Sequence, residues 1–340
     1  MAREQSHPRR RSPEQPASVW KEKELIDGKA VDAGVVILRT SGCSHYHEGG
    51  CTMCGYNFES DRSVTPGDIV KQFENAMKDL GEIGFVKVYT SGSFLDECEI
   101  PKETAEHILR TAADRSLRVL FESRPEYVTP DSLERVLAAN EHVEIALGLE
   151  SSNDRVLKYS INKGFTRADY ERAASEIADK GIDLRTYVLL KPPYLTEAEA
   201  VSDSKETVAF ASRFSTAVSL NPVNVQKGTL VERLWRNWAY RPPWLWSVLE
   251  VLKASHGKAR RLICDPTGGG KERGAHNCGR CDDVILSSIK AYSQSQDIGK
   301  LGWPDCECKD IWKTVMDLDG FVMGGTADLQ RFSRPGAKGP

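Results

Sequence analysis

Three cysteines in one short segment could hold a metal centre that keeps one coordination position open. Cys43, Cys51 and Cys54 follow an apolar run at residues 35–38, which predicts a buried strand. Structural zinc and iron–sulfur sites normally take four protein ligands. A site with three cysteines therefore leaves a metal position where a small molecule can bind and react. The residue types alone leave two alternatives here, a zinc ion and a 4Fe–4S cluster.

A second group of cysteines lies near the C-terminus. Cys278 and Cys281 form a Cys-x-x-Cys turn, which brings two sulfurs within reach of one tetrahedral ion, and a distant pair can complete the site. We therefore predict a second, structural metal, with zinc favoured and an additional iron–sulfur cluster as the alternative. The candidate ligands are Cys264, Cys278, Cys281, Cys306, Cys308 and His276.

The segments that must position the first cysteine loop alternate between strand-like and helix-like patterns. Strands are predicted at residues 35–38, 85–89, 118–121, 143–147, 184–190 and 217–220. Helices are predicted at residues 68–80, 102–114, 131–139, 169–180, 197–214 and 284–292. This alternation predicts an α/β fold built of βαβ units around a parallel sheet. Six units are too few for a closed eight-unit barrel.

A polar segment follows or ends each predicted strand. Because parallel strands end at the same edge of a sheet, these segments predict one shared site. Turn formation and helix capping are the alternative explanation for any single segment. Besides the cysteine loop, the segments contain Ser91, Gly92, Ser93, Glu122, Arg124, Glu150, Ser151, Arg185, Lys191-Pro192-Pro193 and Asn221-Pro222-Val223-Asn224.

Composition places the chain among ordinary globular proteins, with 340 residues and 28% charged residues. It has no apolar run long enough for a membrane span and no signal peptide, so we expect a cytoplasmic protein with reduced thiols and no membrane partner. The net charge of −3 gives no overall nucleic-acid signal. The predicted divisions are a disordered basic arm (1–18), a core barrel (19–230), a cysteine-rich metal-binding extension (231–325) and a flexible tail (326–340).

The first cysteine loop resembles the radical S-adenosylmethionine (SAM) superfamily, with seven residues in the first gap and two in the second. The resemblance implies an open six-unit (βα) partial barrel, a 4Fe–4S cluster on the three cysteines and SAM chelated by the open iron. An electron donor would reduce the cluster, and SAM cleavage would generate a radical that abstracts hydrogen. By the same resemblance, residues 91–93 receive the SAM amino group, Glu150 and Ser151 contact its ribose, and Arg124 or Arg185 pairs with its carboxylate.

A narrower resemblance, over about residues 20–312, is to the archaeosine-biosynthesis radical SAM family, which is related to the Elongator catalytic subunit. It rests on Lys191-Pro192-Pro193, Asn221-Pro222-Val223-Asn224, Gly228-Thr229, Cys264-Asp265-Pro266, residues 276–282, Gln296-Asp297 and Cys306-Glu307-Cys308. The resemblance implies an archaeal source, a tRNA substrate and a partner synthase that attaches lysine to 7-cyano-7-deazaguanine. The radical enzyme then cleaves the lysine C–N bond and leaves archaeosine.

Two alternatives belong to other function classes. One is a wobble-uridine modification, and the other is a non-catalytic zinc or iron–sulfur RNA-binding protein. The second would use an aromatic and basic segment as a stacking platform, although core packing explains the same spacing. Candidate tRNA contacts are Arg9, Arg10, Arg11, Lys258, Arg260 and Arg261, and the stacking segment contains Arg233, Trp235, Arg236, Trp238, Arg241, Trp244 and Trp246.

Overall fold

The computed structural model describes residues 12–26, 28–115 and 117–322. Predictions for residues 1–11 and for the tail at 326–340 lie outside these ranges. The strands are β1 (Ser18–Ile26), β2 (Lys29–Ile37), β3 (Phe85–Tyr89), β4 (Arg118–Ser123), β5 (Val143–Glu150), β6 (Asp183–Leu190), β7 (Ala217–Pro222) and β8 (Arg261–Cys264). The α-helices are α1 (Pro66–Leu80), α2 (Lys102–Ala113), α3 (Pro130–Ala139), α4 (Arg167–Asp179), α5 (Glu197–Ala211), α6 (Leu230–Arg236), α7 (Leu245–Ser255), α8 (Asp282–Ser295) and α9 (Cys308–Val322).

The eight strands form one sheet in sequence order, β1 to β8. β1 pairs antiparallel with β2, and β2 to β8 are all parallel. The predicted α/β fold class with an open, partial barrel is confirmed, and the six predicted strands correspond to β2–β7. The C-terminal ends of the parallel strands form one end of the barrel, here called the mouth, and their N-terminal ends form the closed end.

Threonines at the start of the outer helices fix where the chain leaves each loop. α1, α3, α4 and α5 begin with a capping box, in which the threonine side chain accepts from the backbone N–H of the third helical residue. Such a cap stabilises a helix by about 1 kcal/mol. The apolar faces of these helices then pack on the sheet, around buried residues such as Phe73, Phe121 and Tyr170.

A network of buried charges fills the closed end. Glu144 is fully buried and pairs with Arg185 at 2.8 Å, Arg118 at 3.1 Å and Arg261 at 3.2 Å. Glu24 of β1 pairs with Arg185 at 3.2 Å and with Arg261 at 3.3 Å. Because Arg261 lies on β8, these contacts connect side chains from the two edge strands of the sheet and curl it into a barrel.

The structure departs from the predicted divisions at two places. Residues 12–18, expected to be disordered, are held by α1, since Gln72 donates to the Pro13 carbonyl at 2.7 Å and Asn75 to the Glu14 carbonyl at 3.2 Å. Strand β8 lies beyond the proposed boundary at residue 230, yet it pairs with β7. The extension therefore contributes to the sheet. No helix within the described ranges is both long and apolar enough to cross a membrane.

Candidate functional site

The first cysteine loop lies at the mouth, directly after β2, and is held by the segment that follows β5. The Thr52 N–H donates to the Ile161 carbonyl at 2.9 Å, and the Asn162 side chain donates to the Gly50 carbonyl at 2.8 Å. His45 Nε2 lies 2.7 Å from the Asn162 carbonyl. These contacts indicate that His45 positions the loop rather than binding a metal.

The three sulfurs of this loop are spaced more widely than those of the C-terminal cysteines. Within the described ranges, the sulfurs of the four C-terminal cysteines all lie within 4.8 Å of one another. The sulfurs of Cys43, Cys51 and Cys54 do not. Burial raises the pKa of Cys51 and raises that of Cys54 to about 12. Such thiols ionise only when a metal displaces the proton. The donor set therefore fits a multi-iron cluster, which thiolates hold at separate irons.

The second polar loop, residues 91–93, is organised by one buried carboxylate. The backbone N–H groups of Ser91, Gly92 and Ser93 all donate to Glu99, at 3.0, 3.1 and 2.7 Å. The Thr40 hydroxyl also donates to Glu99, at 2.6 Å. Because Thr40 begins the cysteine loop, Glu99 holds the first two polar segments of the mouth in a fixed relation.

Gly92 allows this loop to lie directly against Cys43. A Cβ atom at Gly92 would lie 2.7 Å from the Cys43 Cα and 2.8 Å from its Cβ. Carbon atoms do not approach so closely, so only glycine leaves room for the cysteine. The structure thus brings the predicted SAM-contacting loop against the predicted cluster ligand.

Glu150 and Arg124 also lie at the mouth, beside Lys163. Glu150 has a left-handed backbone with φ of 67°, and its carboxylate pairs with Lys163 at 2.9 Å. Arg124 donates to Glu126 at 2.5 Å and to the Lys163 carbonyl at 3.1 Å. Arg124 and Lys163 both lie near Cys51, where their charges lower its pKa against burial. Two cations therefore face the thiolate loop.

Two other predicted residues are directed away from this group. Ser151 is fully buried and donates to Asp203 of α5 at 2.7 Å, an arrangement that anchors the loop after β5. Arg185 lies in the ion-pair network at the closed end, with Glu24 and Glu144 as its partners. The structure therefore does not bring Arg185 to the cysteine loop, because two buried carboxylates hold its guanidinium near the start of β6.

Glu122, which begins the polar segment after the third predicted strand, lines the barrel interior. Glu122 of β4 has its pKa raised to about 7 by burial, against a hydrogen bond from Tyr187 of β6. Glu150, Lys163 and Glu99 are close enough to act on the charge of Glu122. Strand periodicity also places Glu122 inside the barrel, since it lies two residues from the inward-facing Leu120.

The C-terminal cysteines form a compact second site. The sulfurs of Cys278 and Cys306 lie 3.6 Å apart, those of Cys281 and Cys308 lie 3.7 Å apart, and Cys306 and Cys308 are separated by 3.5 Å. All four ligand atoms lie within 4.8 Å of one another. A tetrahedral zinc ion with bonds of about 2.3 Å separates its sulfurs by about 3.8 Å. The geometry fits one ion bound by four thiolates.

The surroundings of this site suit negative sulfur. The Trp246 indole N–H donates to the Cys308 sulfur and the Asn277 amide to the Cys281 sulfur, each at 3.3 Å. Helices α8 and α9 begin directly at the site, and helix N-termini favour thiolate. Donors to the ligand atoms also fix their orientation.

Two of the six candidate ligands do not join this group. Cys264 is buried on β8, and its backbone N–H bonds to Ser293 of α8 at 3.0 Å. His276 bonds to the Gly274 carbonyl at 2.8 Å. Neither belongs to the group of four, so the structure does not bring Cys264 together with the other candidate ligands. The second pair in this group is the Cys-x-Cys of Cys306 and Cys308.

The candidate RNA contacts are scattered. Arg261 forms ion pairs with Glu24 and Glu144 at the closed end. Lys258 precedes β8 at that same end, far from the mouth. Trp244 and Trp246 are buried and belong to the core. Trp238 differs from them, because 95% of it is exposed.

Comparison with known proteins agrees with the geometry at the mouth. Residues 37–203 match the model of the radical SAM superfamily. The chain is 39% identical to archaeosine synthase subunit beta of Methanosarcina acetivorans over 320 residues, which are 91% of this chain and 92% of that protein. It is 38% identical to archaeosine synthase subunit beta of Thermococcus kodakarensis over 310 residues, or 88% and 96% of the two chains.

The chain belongs to the archaeosine synthase subunit beta family. It is a radical SAM enzyme, so the non-catalytic RNA-binding alternative no longer applies. Among solved structures, methylornithine synthase (PylB) superposes with a TM-score of 0.50 at 14% identity, covering 67% of this chain and 64% of that one. That likeness concerns the fold alone. Membership of the superfamily implies a 4Fe–4S cluster and SAM as cofactors.

Proposed function

We propose that this chain is the radical SAM subunit of an archaeosine synthase. Its substrate is tRNA that carries the lysine adduct of 7-cyano-7-deazaguanine, and it cleaves the lysine C–N bond to form archaeosine. The observation that carries the proposal is the similarity to two proteins named archaeosine synthase subunit beta, over about nine-tenths of the chain. The three-cysteine loop at the mouth supplies the chemical counterpart.

Cys43, Cys51 and Cys54 would hold the cluster, and the remaining iron would bind SAM. When bound, these cofactors supply hydrogen-atom abstraction from an unactivated C–H bond, which no acid–base pair of side chains could achieve. Abstraction at the lysine ε-carbon makes the adjacent C–N bond accessible to cleavage. The catalytic residues of the later proton steps are not assigned.

The loop at residues 91–93 is suited to receive the SAM ammonium group. Its three backbone N–H groups are engaged by Glu99, and the Ser93 carbonyl accepts the Asp96 N–H, so the carbonyl oxygens of Ser91 and Gly92 are the backbone groups suited to accept from SAM. Arg124 is the arginine near the loop that can face a carboxylate, whereas Arg185 is held at the closed end. Glu150 remains the candidate for the ribose.

The interior carboxylates suit a cationic substrate. The lysine adduct carries an α-ammonium group, and the product carries a protonated formamidine. Glu122, with a pKa of about 7, can hold or release a proton near neutral pH. Its ionised form would pair with either cation inside the barrel, where a charge interaction is stronger than in water.

The C-terminal extension would bind a structural zinc ion through Cys278, Cys281, Cys306 and Cys308. Its four thiolates leave no position for substrate, as expected for a structural site. We place the boundary between barrel and extension near residue 230, with β8 returning to complete the sheet.

A partner subunit would bring the substrate. With a net charge of −3 and no separate tRNA-binding domain within residues 12–322, the isolated chain has little overall attraction for a polyanion. We expect weak intrinsic binding to tRNA and recruitment by the lysine-transferring subunit. Co-elution of the two proteins and a large gain in turnover on mixing would support this; tight binding and full activity of the isolated chain would contradict it.

The deciding experiment is an anaerobic reaction of the reconstituted chain with SAM, a reductant and lysine-modified tRNA, followed by nucleoside mass spectrometry. Archaeosine should form, and the Cys51→Ala variant should make neither archaeosine nor 5′-deoxyadenosine. Cys98→Ala is the matched control, because this cysteine is exposed and belongs to neither metal group. Cleavage of SAM by the wild type without any archaeosine would refute the proposal.

A further inference from the structure

Helix α6 extends from the cysteine loop along the rim of the mouth. The Val231 N–H at its start donates to the Thr52 carbonyl at 3.3 Å, between Cys51 and Cys54. A helix of seven residues is about 10 Å long, so both ends of α6 remain close to the cysteine loop. We define the α6 rim by five of the exposed side chains there, which are Phe58, Lys227, Arg233, Arg236 and Trp238.

Trp238 stands out at the end of α6. It is 95% exposed and has a left-handed backbone with φ of 59°. Its N–H bonds to the Trp235 carbonyl at 3.1 Å, and the following Ala239 N–H bonds to the Leu234 carbonyl at 2.9 Å. Trp238 is therefore the residue just after the helix C-cap, Asn237, a left-handed position that glycine usually takes. A bulky indole here adds backbone strain and gains no packing within the chain.

A second exposed aromatic ring lies at the other end of α6. Phe58 is 57% exposed, and its ring lies over Gly228, where a Cβ would come within 2.0 Å of the ring carbon Cζ. Gly228 in turn donates to Glu232 in the first turn of α6 at 2.7 Å. Two exposed rings therefore lie at the two ends of one short helix, beside the cysteine loop.

The charges between these rings are predominantly positive. Lys227 and Arg233 are exposed, and neither has an ion-pair partner among the described residues. Arg236 and Arg273 share the single carboxylate of Glu232, at 3.1 and 2.6 Å. Four cations against one carboxylate give a local charge of +3, opposite in sign to that of the whole chain.

Exposed rings interleaved with unpaired cations match the chemistry of an unpaired nucleic-acid strand. Bases stack on aromatic side chains, and phosphates contact lysine and arginine. A base that must reach the barrel interior has to leave its helical stack, which exposes its neighbours to such a surface. A protein partner would instead have to neutralise these cations with its own acids.

We propose that the α6 rim binds an unpaired segment of the substrate RNA, with a base stacked on Trp238 and phosphates on Lys227 and Arg233. The proposal rests on tRNA as the substrate and adds the surface that presents it to the mouth. With two or three phosphate contacts, the affinity is modest, which agrees with dependence on a partner subunit.

The test compares variants of the full chain in binding to lysine-modified and to unmodified tRNA, by fluorescence anisotropy across a salt series. Trp238→Ala should weaken RNA binding about 5- to 100-fold, and Trp238→Phe should weaken it less, because the phenyl ring can still stack. The double variant Lys227→Gln/Arg233→Gln should lower the slope of log K against log salt by about 1.5. Matched controls are Trp20→Ala on the edge strand β1 and Lys29→Gln/Lys258→Gln at the closed end, which should bind as the wild type does.

The readouts separate this inference from the proposed function. Formation of 5′-deoxyadenosine without RNA should not change in any rim variant, because none contacts the cysteines through its side chain. If the chain makes no archaeosine yet Trp238→Ala still weakens RNA binding, the rim proposal stands and the reaction assignment fails. Wild-type RNA affinity in Trp238→Ala overturns the rim proposal, and loss of co-elution with the partner subunit in that variant would identify a protein interface.

Discussion

Replacing Arg185 distinguishes a role in SAM binding from a role in folding. The arginine bonds to Glu144 at 2.8 Å and to Glu24 at 3.2 Å, and all three side chains are buried. Arg185→Gln removes the cation and leaves one uncompensated negative charge in the closed end. Breaking a buried ion pair by removing one partner costs about 3–5 kcal/mol.

The pKa of Glu144 gives an independent measure of this cost. Burial alone would raise that pKa, but the charges of Arg185 and Arg261 outweigh burial and lower it from 4.5 to about 2. A difference of that size corresponds to about 3 kcal/mol of stabilisation of the ionised form. Arg185 is the largest favourable contributor. Since Arg261 and Arg118 remain in the variant, we expect the free energy of unfolding to fall by about 3 kcal/mol, the lower end of that range.

The assay is urea unfolding followed by circular dichroism, with SAM binding measured on the folded protein. Arg185→Gln should lower the unfolding free energy by about 3 kcal/mol and leave the Kd for SAM unchanged. Arg110→Gln is the control, because Arg110 is exposed and its pair with Glu106 contributes about 0.5 kcal/mol or less. Unchanged stability together with weaker SAM binding would refute the reasoning and restore the sequence-based role of Arg185.

Three further predictions follow from the same geometry. The stability gap between wild type and Glu144→Gln should be fully present above pH 4.5 and close as the pH falls towards 2, because the lowered pKa of Glu144 stabilises the fold only while it is ionised; urea midpoints between pH 3 and 6 test this, and a gap independent of pH would contradict it. Cys281→Ser should lose one equivalent of zinc and some stability while its iron content stays normal, whereas Cys98→Ser should change neither; metal analysis decides, and loss of chemistry alone from Cys281→Ser would mean a catalytic site. Gly92→Ala should lower bound iron, because its Cβ would lie 2.7 Å from the Cys43 Cα, whereas Gly67→Ala in α1, with 3.8 Å to its nearest neighbour, should not; equal iron in the two variants would show that the loop can move aside.

The fold was predictable where local patterns decide it. The apolar runs of β2–β7 and the threonine caps of the helices lie within short windows, and the alternation of the two implies parallel pairing. Strand β1 was missed because Lys21, Glu22, Lys23 and Glu24 resemble a solvent-exposed segment. Glu24 is nevertheless buried, and it pairs with Arg185, which is 161 residues away in sequence. A pairing over that distance has no local signal.

The candidate site was predictable to the same degree. The cysteine spacing indicated both metal positions, and the polar segments after the strands indicated a common mouth. The choice among five C-terminal cysteines required three-dimensional distances, and so did the separation of Arg124 from Arg185. The sequence placed Glu122 in the shared polar group, but the rise in its pKa depends on the curled sheet that encloses it, which has no local signal.

The motifs that made the resemblance specific lie where the barrel joins the metal-binding extension. Lys191 has a left-handed backbone and pairs with the buried Glu197 at 2.6 Å, while its carbonyl accepts from the Tyr240 hydroxyl at 2.7 Å. Asn277 accepts from the Leu245 N–H at 2.9 Å and also donates to the Cys281 sulfur.

These contacts indicate that Lys191 and Asn277 hold neighbouring segments in place. Arg273, near the start of the metal-binding turn, accepts the Val225 N–H through its carbonyl at 2.6 Å and pairs with Glu232 of α6. The four-cysteine site is thus connected to α6, and through α6 to the cysteine loop at Thr52. If the four cysteines bind the zinc ion proposed above, that ion would hold the turn that contacts the α6 rim, and its loss would release this turn.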